Sequence, residues 1–269
     1  MVHLFHRKNH IAFCGAISMV RIIDIRLNKS SYSLSARLIV DWGKKLESRY
    51  VCACNVHMIM EAHDNPSFRE VVNKADIVTP DGMPLVWMMR LKGVRRQQRV
   101  YGPTLMLHVL ELCEKESIPI GLLGSTSDVL ELLREKLIMR YPQLKINYSY
   151  SPPFGDLSED ENDHIVSNFN QSGSKILFVG LGCPKQEIWM SKNKGRIKAV
   201  MIGVGAAFDF HAGVKPQSPP FLQKLGLEWL FRLFHEPKRL WKRYLYNNPR
   251  FIILAIADLL GLYHTATMK

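Results

Sequence analysis

One carboxylate in this sequence stands where a general base could work. Asp81 lies between Pro80 and Gly82, directly after a short apolar segment. A carboxylate on a stiff turn at the end of a strand can accept a proton from a hydroxyl group, provided that its surroundings tune its pKa. An aspartate between proline and glycine is also an ordinary turn residue, so Asp81 alone leaves both interpretations open.

A second group of polar residues stands at the start of a predicted helix, where Pro184 and Lys185 precede Gln186 and Glu187. A glutamine amide can donate to a diphosphate or a sugar hydroxyl without adding charge, and a lysine can neutralise phosphate. Arg99 could hold a carboxylate or phosphate through two parallel N–H donors. The alternatives are an ordinary helix N-terminus for residues 184–187 and a surface position for Arg99.

Glycine-rich segments follow several predicted strands, at residues 79–84, 123–126, 180–187 and 203–209. Glycine lets the backbone approach a phosphate closely, and the N–H groups at the start of the next helix favour an anion. These segments therefore outline a pyrophosphate site, although a simple helix cap explains Ser125 and Thr126 equally well. None of them matches the dinucleotide or P-loop patterns.

The sequence shows neither metal-ligand spacing among its histidines nor an Asp-x-Asp pair, and we expect no bound metal and no cofactor. The charge of a departing phosphate would then be met by N–H donors, arginine and lysine. The five cysteines are scattered, which does not predict a disulfide framework. Cys52 and Cys54 are expected in a buried strand, because one spacer residue is too few for a zinc knuckle.

Short aliphatic segments alternate with amphipathic ones along the middle of the chain. The predicted strands are residues 49–54, 77–79, 118–123, 145–150, 176–180 and 199–204. Helical spacing of apolar residues recurs between them, as in segments 104–117 and 127–139. This alternation predicts an α/β fold with a largely parallel sheet flanked by helices. Loops at the carboxyl ends of such strands hold ligands, which would bring the polar residues described above together.

Charge is concentrated towards the C-terminus of this basic chain. The formal net charge is +12, which indicates an acidic partner. After prolines at 216, 219 and 220, basic residues alternate with Trp, Tyr and Phe up to residue 250, a mixture that favours an anionic membrane surface over a base-reading surface. The apolar run 251–263 is too short to span a bilayer, which takes roughly twenty residues.

We therefore predict three parts. Residues 1–18 form an N-terminal extension, residues 19–213 an α/β domain and residues 214–269 a basic helical appendage. The extension superficially resembles a signal peptide, because Arg7 and Lys8 precede an apolar run, but Arg21 and Asp24 follow without a cleavage pattern.

Taken in order, these segments resemble the WecG/TagA/CpsF glycosyltransferase family, from about Met19 to at least Arg243. The matching segments are NVHM (55–58), ADIVTPDG (75–82), RVYG (99–102), GLGCPKQE (180–187), residues 203–209, and GLEWLFR (226–232) with EPKR (236–239). Their common order is more specific than any single segment.

The resemblance implies a Rossmann-like catalytic domain and an inverting, single-displacement reaction. The donor would be a UDP-sugar carrying N-acetylmannosamine, its uronic acid or a glucose-type sugar, and the acceptor would be linked to polyprenyl diphosphate. Asp81 is then the expected general base, and Gln186 is a catalytic contact to substrate or diphosphate. The other residues expected to bind substrate are Asn55, Thr79, Gly82, Arg99, Gly102, Gly124, Gly182, Pro184, Lys185, Glu187, Gly205 and Asp209.

The resemblance also implies that the appendage closes over the pocket and touches the membrane. Arg232, Arg239 and Arg243 are expected to contact anionic lipid or the acceptor diphosphate, with a solvated basic helix face as the alternative. We expect a cytoplasmic protein on the inner face of the cytoplasmic membrane, acting in cell-surface polysaccharide biosynthesis and able to self-associate. Ala53 replaces a threonine that many relatives carry, which leaves the sugar open.

Two other functions compete with this interpretation. A nucleotide-sugar epimerase or dehydrogenase needs a dinucleotide fingerprint with a Tyr-x-x-x-Lys pair beside it, and that combination does not occur. A non-catalytic module could bind nucleic acid or membrane through the basic end, and salt-sensitive DNA binding without turnover would favour it. Neither alternative explains Asp81 and Gln186 in glycine-rich settings, so nucleic acid is not an expected partner.

Overall fold

The computed structural model describes residues 18–263. The strands are β1 (Met19–Ile22), β2 (Ile25–Asn28), β3 (Arg49–Cys54), β4 (Ile77–Pro80), β5 (Ile120–Gly124), β6 (Ile146–Tyr150), β7 (Ile176–Gly180) and β8 (Val200–Gly203). The helices are α1 (Tyr32–Lys44), α2 (Val56–Asp64), α3 (Pro66–Asn73), α4 (Met83–Leu91), α5 (Gly102–Lys115), α6 (Ser127–Arg140), α7 (Glu159–Gln171), α8 (Lys185–Asn193), α9 (Ala207–Ala212), α10 (Pro220–Lys224), α11 (Glu228–His235) and α12 (Pro237–Leu259).

A six-stranded parallel sheet organises the molecule, in the spatial order β4-β3-β8-β7-β5-β6. Alternate residues of each strand enter two different buried clusters, for example Leu177 and Phe178 of β7. Because successive side chains of a strand point to opposite faces, these clusters lie on the two sides of the sheet. The predicted α/β fold with a parallel sheet flanked by helices is confirmed.

All six predicted strands belong to this sheet. The largest difference is at β5, which begins at Ile120 rather than at Ile118. The backbone N–H of Ile118 instead donates to the carbonyl of Cys113 at the end of α5. Cys52 and Cys54 lie fully buried in β3, as predicted.

An antiparallel hairpin of β1 and β2 lies beside the edge of the sheet. The side chain of Asn28 accepts a hydrogen bond of 2.7 Å from the backbone N–H of Val78, so the edge strand β4 is partly covered. Such cover satisfies backbone groups that an edge strand would otherwise expose.

The last helix, α12, packs on the face of the sheet that carries α2 and α4. Phe251 and Ala255 join the same buried cluster as Cys52 of β3. Ion pairs fix the helix at two points, Arg250 to Asp64 of α2 at 2.8 Å and Asp258 to Lys92, just after α4, at 2.6 Å. The C-terminal segment therefore shares the main core rather than lying apart from it.

Two sequence-based expectations concern the ends of the chain. Residues 1–17 of the predicted extension and residues 264–269 of the appendage lie outside the described residues. Among the helices between residues 18 and 263, none is both long enough and apolar enough to cross a membrane.

Candidate active site

Two cavities lie at the carboxyl edge of the sheet, where parallel-sheet proteins bind ligands. The first, of about 540 Å³, adjoins the ends of β3 and β4 and is called the Asp81 cavity here. The second, of about 930 Å³, adjoins the ends of β5, β7 and β8 and is called the glycine-loop cavity.

Asp81 is buried at the bottom of the first cavity and shares an arginine with a second carboxylate. Arg99 donates to Asp81 Oδ1 at 3.1 Å and to Glu228 Oε2 at 2.7 Å. The Nε group of Arg99 also donates to the backbone carbonyl of Asp81. The guanidinium lies 4.0 Å from the centroid of the Tyr101 ring. One arginine thus joins the β4–α4 turn to the first residue of α11.

The surroundings of Asp81 adjust its acidity. The pKa of Asp81 is raised to about 6, because burial and the negative charge of Glu228 raise it more than Arg99 lowers it. The backbone N–H of Gly102, at the start of α5, also stabilises the carboxylate. Asp81 is therefore mostly ionised at neutral pH, and its basicity is higher than that of an exposed aspartate, as general-base catalysis requires.

Local sequence explains why Asp81 and Asn55 line the same cavity. Strand β4 ends at Pro80, and α4 begins directly after Gly82, so Asp81 occupies a very short turn. In the neighbouring strand connection, Asn55 caps α2 by accepting from the backbone N–H of Met58 at 3.1 Å. This use of Oδ1 leaves the amide nitrogen of Asn55 available to the cavity that the residue lines.

Further along the Asp81 cavity, two arginines surround a neutral histidine. Burial, together with the positive charges of Arg243 and Arg232, lowers the pKa of His57 to about 4. Among residues 18–263, neither arginine has a carboxylate within ion-pair distance, and the buried Nε group of Arg243 has no hydrogen-bond partner. This part of the cavity is therefore suited to an anion.

The glycine-loop cavity contains both signs of charge. Asp209 accepts from the Ser125 hydroxyl at 3.4 Å and pairs with Lys215 at 2.8 Å. At the rim, Lys185 pairs with Asp156 at 2.9 Å, and Arg239 pairs with Glu236. These weakly held, partly exposed cations can be recruited by a phosphate.

Gln186 connects two glycine loops of this cavity through hydrogen bonds to their backbones. Its Oε1 accepts from the backbone N–H of Gly182 at 3.2 Å and of Gly205 at 3.1 Å. Its Nε2 donates to Glu187 at 2.6 Å, and burial raises the pKa of that carboxyl to about 7. Gln186 is buried with both ends of its side chain engaged, so in this geometry it positions the loops rather than facing a cavity.

The residues expected to bind substrate divide into three groups. The Asp81 cavity is lined by Asn55, Asp81, Gly82, Arg99, Arg232 and Arg243. The glycine-loop cavity is lined by Gly182, Lys185, Gly205, Asp209 and Arg239. The others line neither cavity, namely Thr79, Gly102, Gly124, Pro184, Gln186 and Glu187.

Several residues of the third group hold the strand ends or loops from which the other two groups project. Thr79 is fully buried in β4 and donates to the carbonyl of Val100 at 3.3 Å. Gly124 allows two strand ends to approach, because a Cβ there would lie 2.6 Å from the backbone of Gly180. Pro184 immediately precedes α8.

Sequence reasoning did not assign a role to Glu228 or a cavity position to His57. Glu228 stands 129 residues from the arginine that it binds, and nothing local indicates the pairing. The only sequence feature that distinguishes Glu228 is its negative charge at the start of an otherwise basic and aromatic segment. His57 follows the helix cap Asn55 by two residues, which places both at the same end of α2.

A comparison with protein families fits this geometry. The sequence model of the glycosyl transferase WecG/TagA/CpsF family matches residues 20–265. The chain belongs to this family. The matched region of this WecG/TagA/CpsF glycosyltransferase includes the residues of both cavities and helices α11 and α12. Glu228, Arg232 and Arg243 therefore lie within it. Within residues 18–263, no group of three or more His, Cys, Asp or Glu side chains could hold a metal ion.

Proposed function

We propose that the protein is an inverting glycosyltransferase that moves a sugar from a UDP-sugar onto an acceptor linked to polyprenyl diphosphate. The observation that carries this proposal is Asp81, a buried carboxylate with a raised pKa, in a cavity that also holds two arginines with no carboxylate partner among residues 18–263. Such an acceptor carries a nucleophilic hydroxyl and an anionic diphosphate. The base would receive the hydroxyl, and the two arginines would receive the diphosphate.

In the proposed reaction, Asp81 accepts the proton of the acceptor hydroxyl through Oδ2, because Arg99 occupies Oδ1. The hydroxyl oxygen forms a bond to the anomeric carbon while the bond from that carbon to the UDP oxygen breaks. UDP departs with the electron pair, and attack from the opposite face inverts the anomeric configuration. Asp81 holds the released proton until solvent removes it.

The glycine-loop cavity is the proposed site of the UDP group. Backbone N–H donors and the cations Lys185, Lys215 and Arg239 line it and can meet the charge of the leaving diphosphate. Gly102 lies between the two loops concerned, because an added Cβ there would lie 3.7 Å from Asp81 Oδ2 and 3.8 Å from the carbonyl of Val204, the residue before Gly205. The reacting carbon would lie in this region, between nucleotide and base.

We assign different roles to the predicted α/β domain and to the predicted C-terminal appendage. Residues 19–213 supply the base and the nucleotide loops, and residues 214–269 close over the acceptor with Glu228, Arg232 and Arg243. Exposed apolar side chains of the C-terminal helices would contact the inner face of the cytoplasmic membrane, namely Phe221, Leu225, Phe234, Trp241, Leu245 and Tyr246. Cell-surface polysaccharide is the proposed product, and N-acetylmannosamine, its uronic acid and a glucose-type sugar are the donors to test.

The first test is acceptor-dependent UDP release from a panel of UDP-sugars, comparing wild type with Asp81→Asn. We expect the substitution to reduce turnover by about 10²–10⁴-fold, because the amide cannot take the proton. Asp160→Asn, an exposed aspartate of α7, is the matched control and should behave as wild type. Full activity of Asp81→Asn would overturn the base assignment. If the wild type released no UDP with any donor, the non-catalytic binding module would be favoured instead.

A further inference from the structure

The Asp81 cavity continues into an apolar groove between two helices. One wall is a helical stripe of α4, made of Pro84, Trp87, Met88 and Leu91. The facing wall is a stripe of α12, made of Phe251, Ile252, Ala255, Ile256 and Leu259. Spacings of three and four residues keep each stripe on one side of its helix. The two stripes form a channel that leads away from Asp81.

Polarity changes in order along α12. The face towards the cavity begins with Arg243 and Tyr244, continues with Asn247 and Asn248, and becomes apolar from Phe251 to Leu259. At 1.5 Å per residue, the stretch from Arg243 to Leu259 covers about 24 Å. A ligand that matches this wall is anionic near the base and hydrocarbon further out.

The groove is preformed and exposed to water. Leu91 is 70% exposed and Ile256 is 53% exposed, although both belong to its walls. The ion pairs of Arg250 and Asp258 fix α12 near the two ends of the apolar stripe. Large apolar surface beside a functional cavity indicates a binding site, because hydrocarbon that covers it gains about 25 cal/mol for each Å² removed from water.

A tight contact between α4 and the α10–α11 connection borders the groove. Gly226 packs so closely on Trp87 that an added Cβ would lie 2.7 Å from the indole ring. Leu225 and Leu227, on either side of this glycine, line the same cavity. The hydrocarbon path is therefore bounded by the α10–α11 connection as well as by α4 and α12.

We propose that this groove binds the branched hydrocarbon chain of the lipid acceptor, with its first isoprene units lying along α12. The diphosphate then lies at Arg232 and Arg243, and the acceptor hydroxyl reaches Asp81. This inference rests on the proposed function and adds that the protein itself, rather than the bilayer, holds the proximal part of the chain. A second copy of this basic C-terminal segment is a poorer match, because it would bring positive charge towards Arg232 and Arg243.

The test compares two acceptors that carry the same sugar, one on farnesyl diphosphate and one on methyl diphosphate, without vesicles and below micelle-forming concentrations. The variant Ile256→Glu places a charge in the groove. Ile253→Glu is its matched control, because Ile253 is 67% exposed on the same helix and does not line the groove. Leu91→Glu repeats the test on the facing wall.

For the wild type we expect a KM at least tenfold lower for the farnesyl acceptor than for the methyl acceptor. Ile256→Glu and Leu91→Glu should remove this advantage and leave the methyl acceptor unchanged, while Ile253→Glu should resemble wild type. Equal KM values of the wild type for both acceptors would overturn the groove while leaving the proposed function intact. An equal effect of Ile253→Glu would also overturn it, in favour of general contact with the helix surface. No transfer to either acceptor would instead count against the proposed function.

Discussion

Asp81 and Glu228 compete for one guanidinium, and this competition sets the acidity of the proposed base. Burial and the negative charge of Glu228 raise the pKa of Asp81, whereas Arg99 lowers it. The sequence indicated Asp81 as a candidate base, but an aspartate between Pro80 and Gly82 is also an ordinary turn residue, and only the order of the surrounding segments favoured the catalytic interpretation. It did not indicate Glu228, because only folding brings α11 against the β4–α4 turn.

We expect Glu228→Gln to shift the pH dependence of transfer. The base acts when ionised, so kcat/KM should rise with pH through the pKa of Asp81, which is about 6. Removing the charge of Glu228 lowers that pKa, and the acid limb should therefore move to lower pH. The check is kcat/KM measured from pH 5 to pH 8.

Glu236→Gln serves as the control for this prediction. Glu236 pairs with Lys215 and Arg239 outside the Asp81 cavity, so its removal should leave the acid limb in place. An unchanged or upward-shifted limb in Glu228→Gln would mean that Glu228 has only a structural role.

At the scale of elements, the first turn of α8 ties two strand ends together. Gln186 binds the loops after β7 and β8, and the adjacent Glu187 is fully buried with one oxygen unpaired within the described part of the chain. The sequence motif indicated the position of these residues but suggested substrate contacts. The hydrogen bonds to Gly182 and Gly205 are long-range consequences of strand order, which local sequence does not encode.

Glu187→Gln should make the protein more stable in mildly alkaline solution. The pKa of Glu187 is raised to about 7, so the folded state binds more protons than the unfolded state between about pH 4.5 and pH 7. Stability conferred by this carboxyl is therefore lost as pH rises through that window. The neutral amide avoids the loss, about 3 kcal/mol at pH 8. Urea unfolding at pH 5 and pH 8 measures it, and equal gains at both values would contradict the prediction.

The strands of the main sheet were predictable because they are short apolar runs that end in glycine or polar residues. The hairpin of β1 and β2 was not, since its strands have four residues each and alternate with charge. The long helix α12 was recognised as basic and aromatic. Its buried residues Phe251 and Ala255 lie one turn apart, but every residue from 251 to 257 is apolar, so the spacing did not show which side packs against the sheet.

For the molecule as a whole, the distribution of exposed apolar and basic residues predicts a membrane-facing side. Phe234 is 76% exposed and Leu245 is 68% exposed in the C-terminal helices, where Lys238 and Lys242 also lie. Apolar side chains can enter the headgroup region while lysine and arginine attract anionic lipid.

We expect Phe234→Glu combined with Leu245→Glu to reduce binding to phosphatidylglycerol vesicles at least fivefold, measured by co-sedimentation. Higher salt should weaken binding of the wild type, because part of the attraction is electrostatic. Met139→Glu is the control, since Met139 is 81% exposed on α6, outside the C-terminal helices. Equal losses in both variants would point to a nonspecific effect of charge.

Deleting the C-terminal segment is a poor way to test membrane binding. Phe251 and Ala255 of α12 belong to a buried cluster of the main core, and α12 packs against α2 and α4, so the truncation would expose apolar surface of the core. Point variants of exposed residues therefore test membrane binding better than truncations do.

Helix α12 also constrains how the gene can change. One side of the helix packs in the core at Phe251 and Ala255, and an adjoining side forms the groove through Ile252 and Ile256. A helix turns by about 100° per residue. Inserting or deleting one codon between Arg243 and Phe251 would rotate these sides away from their partners, whereas many single substitutions would not. Evolution can therefore vary the residues of this stretch far more freely than it can vary their number.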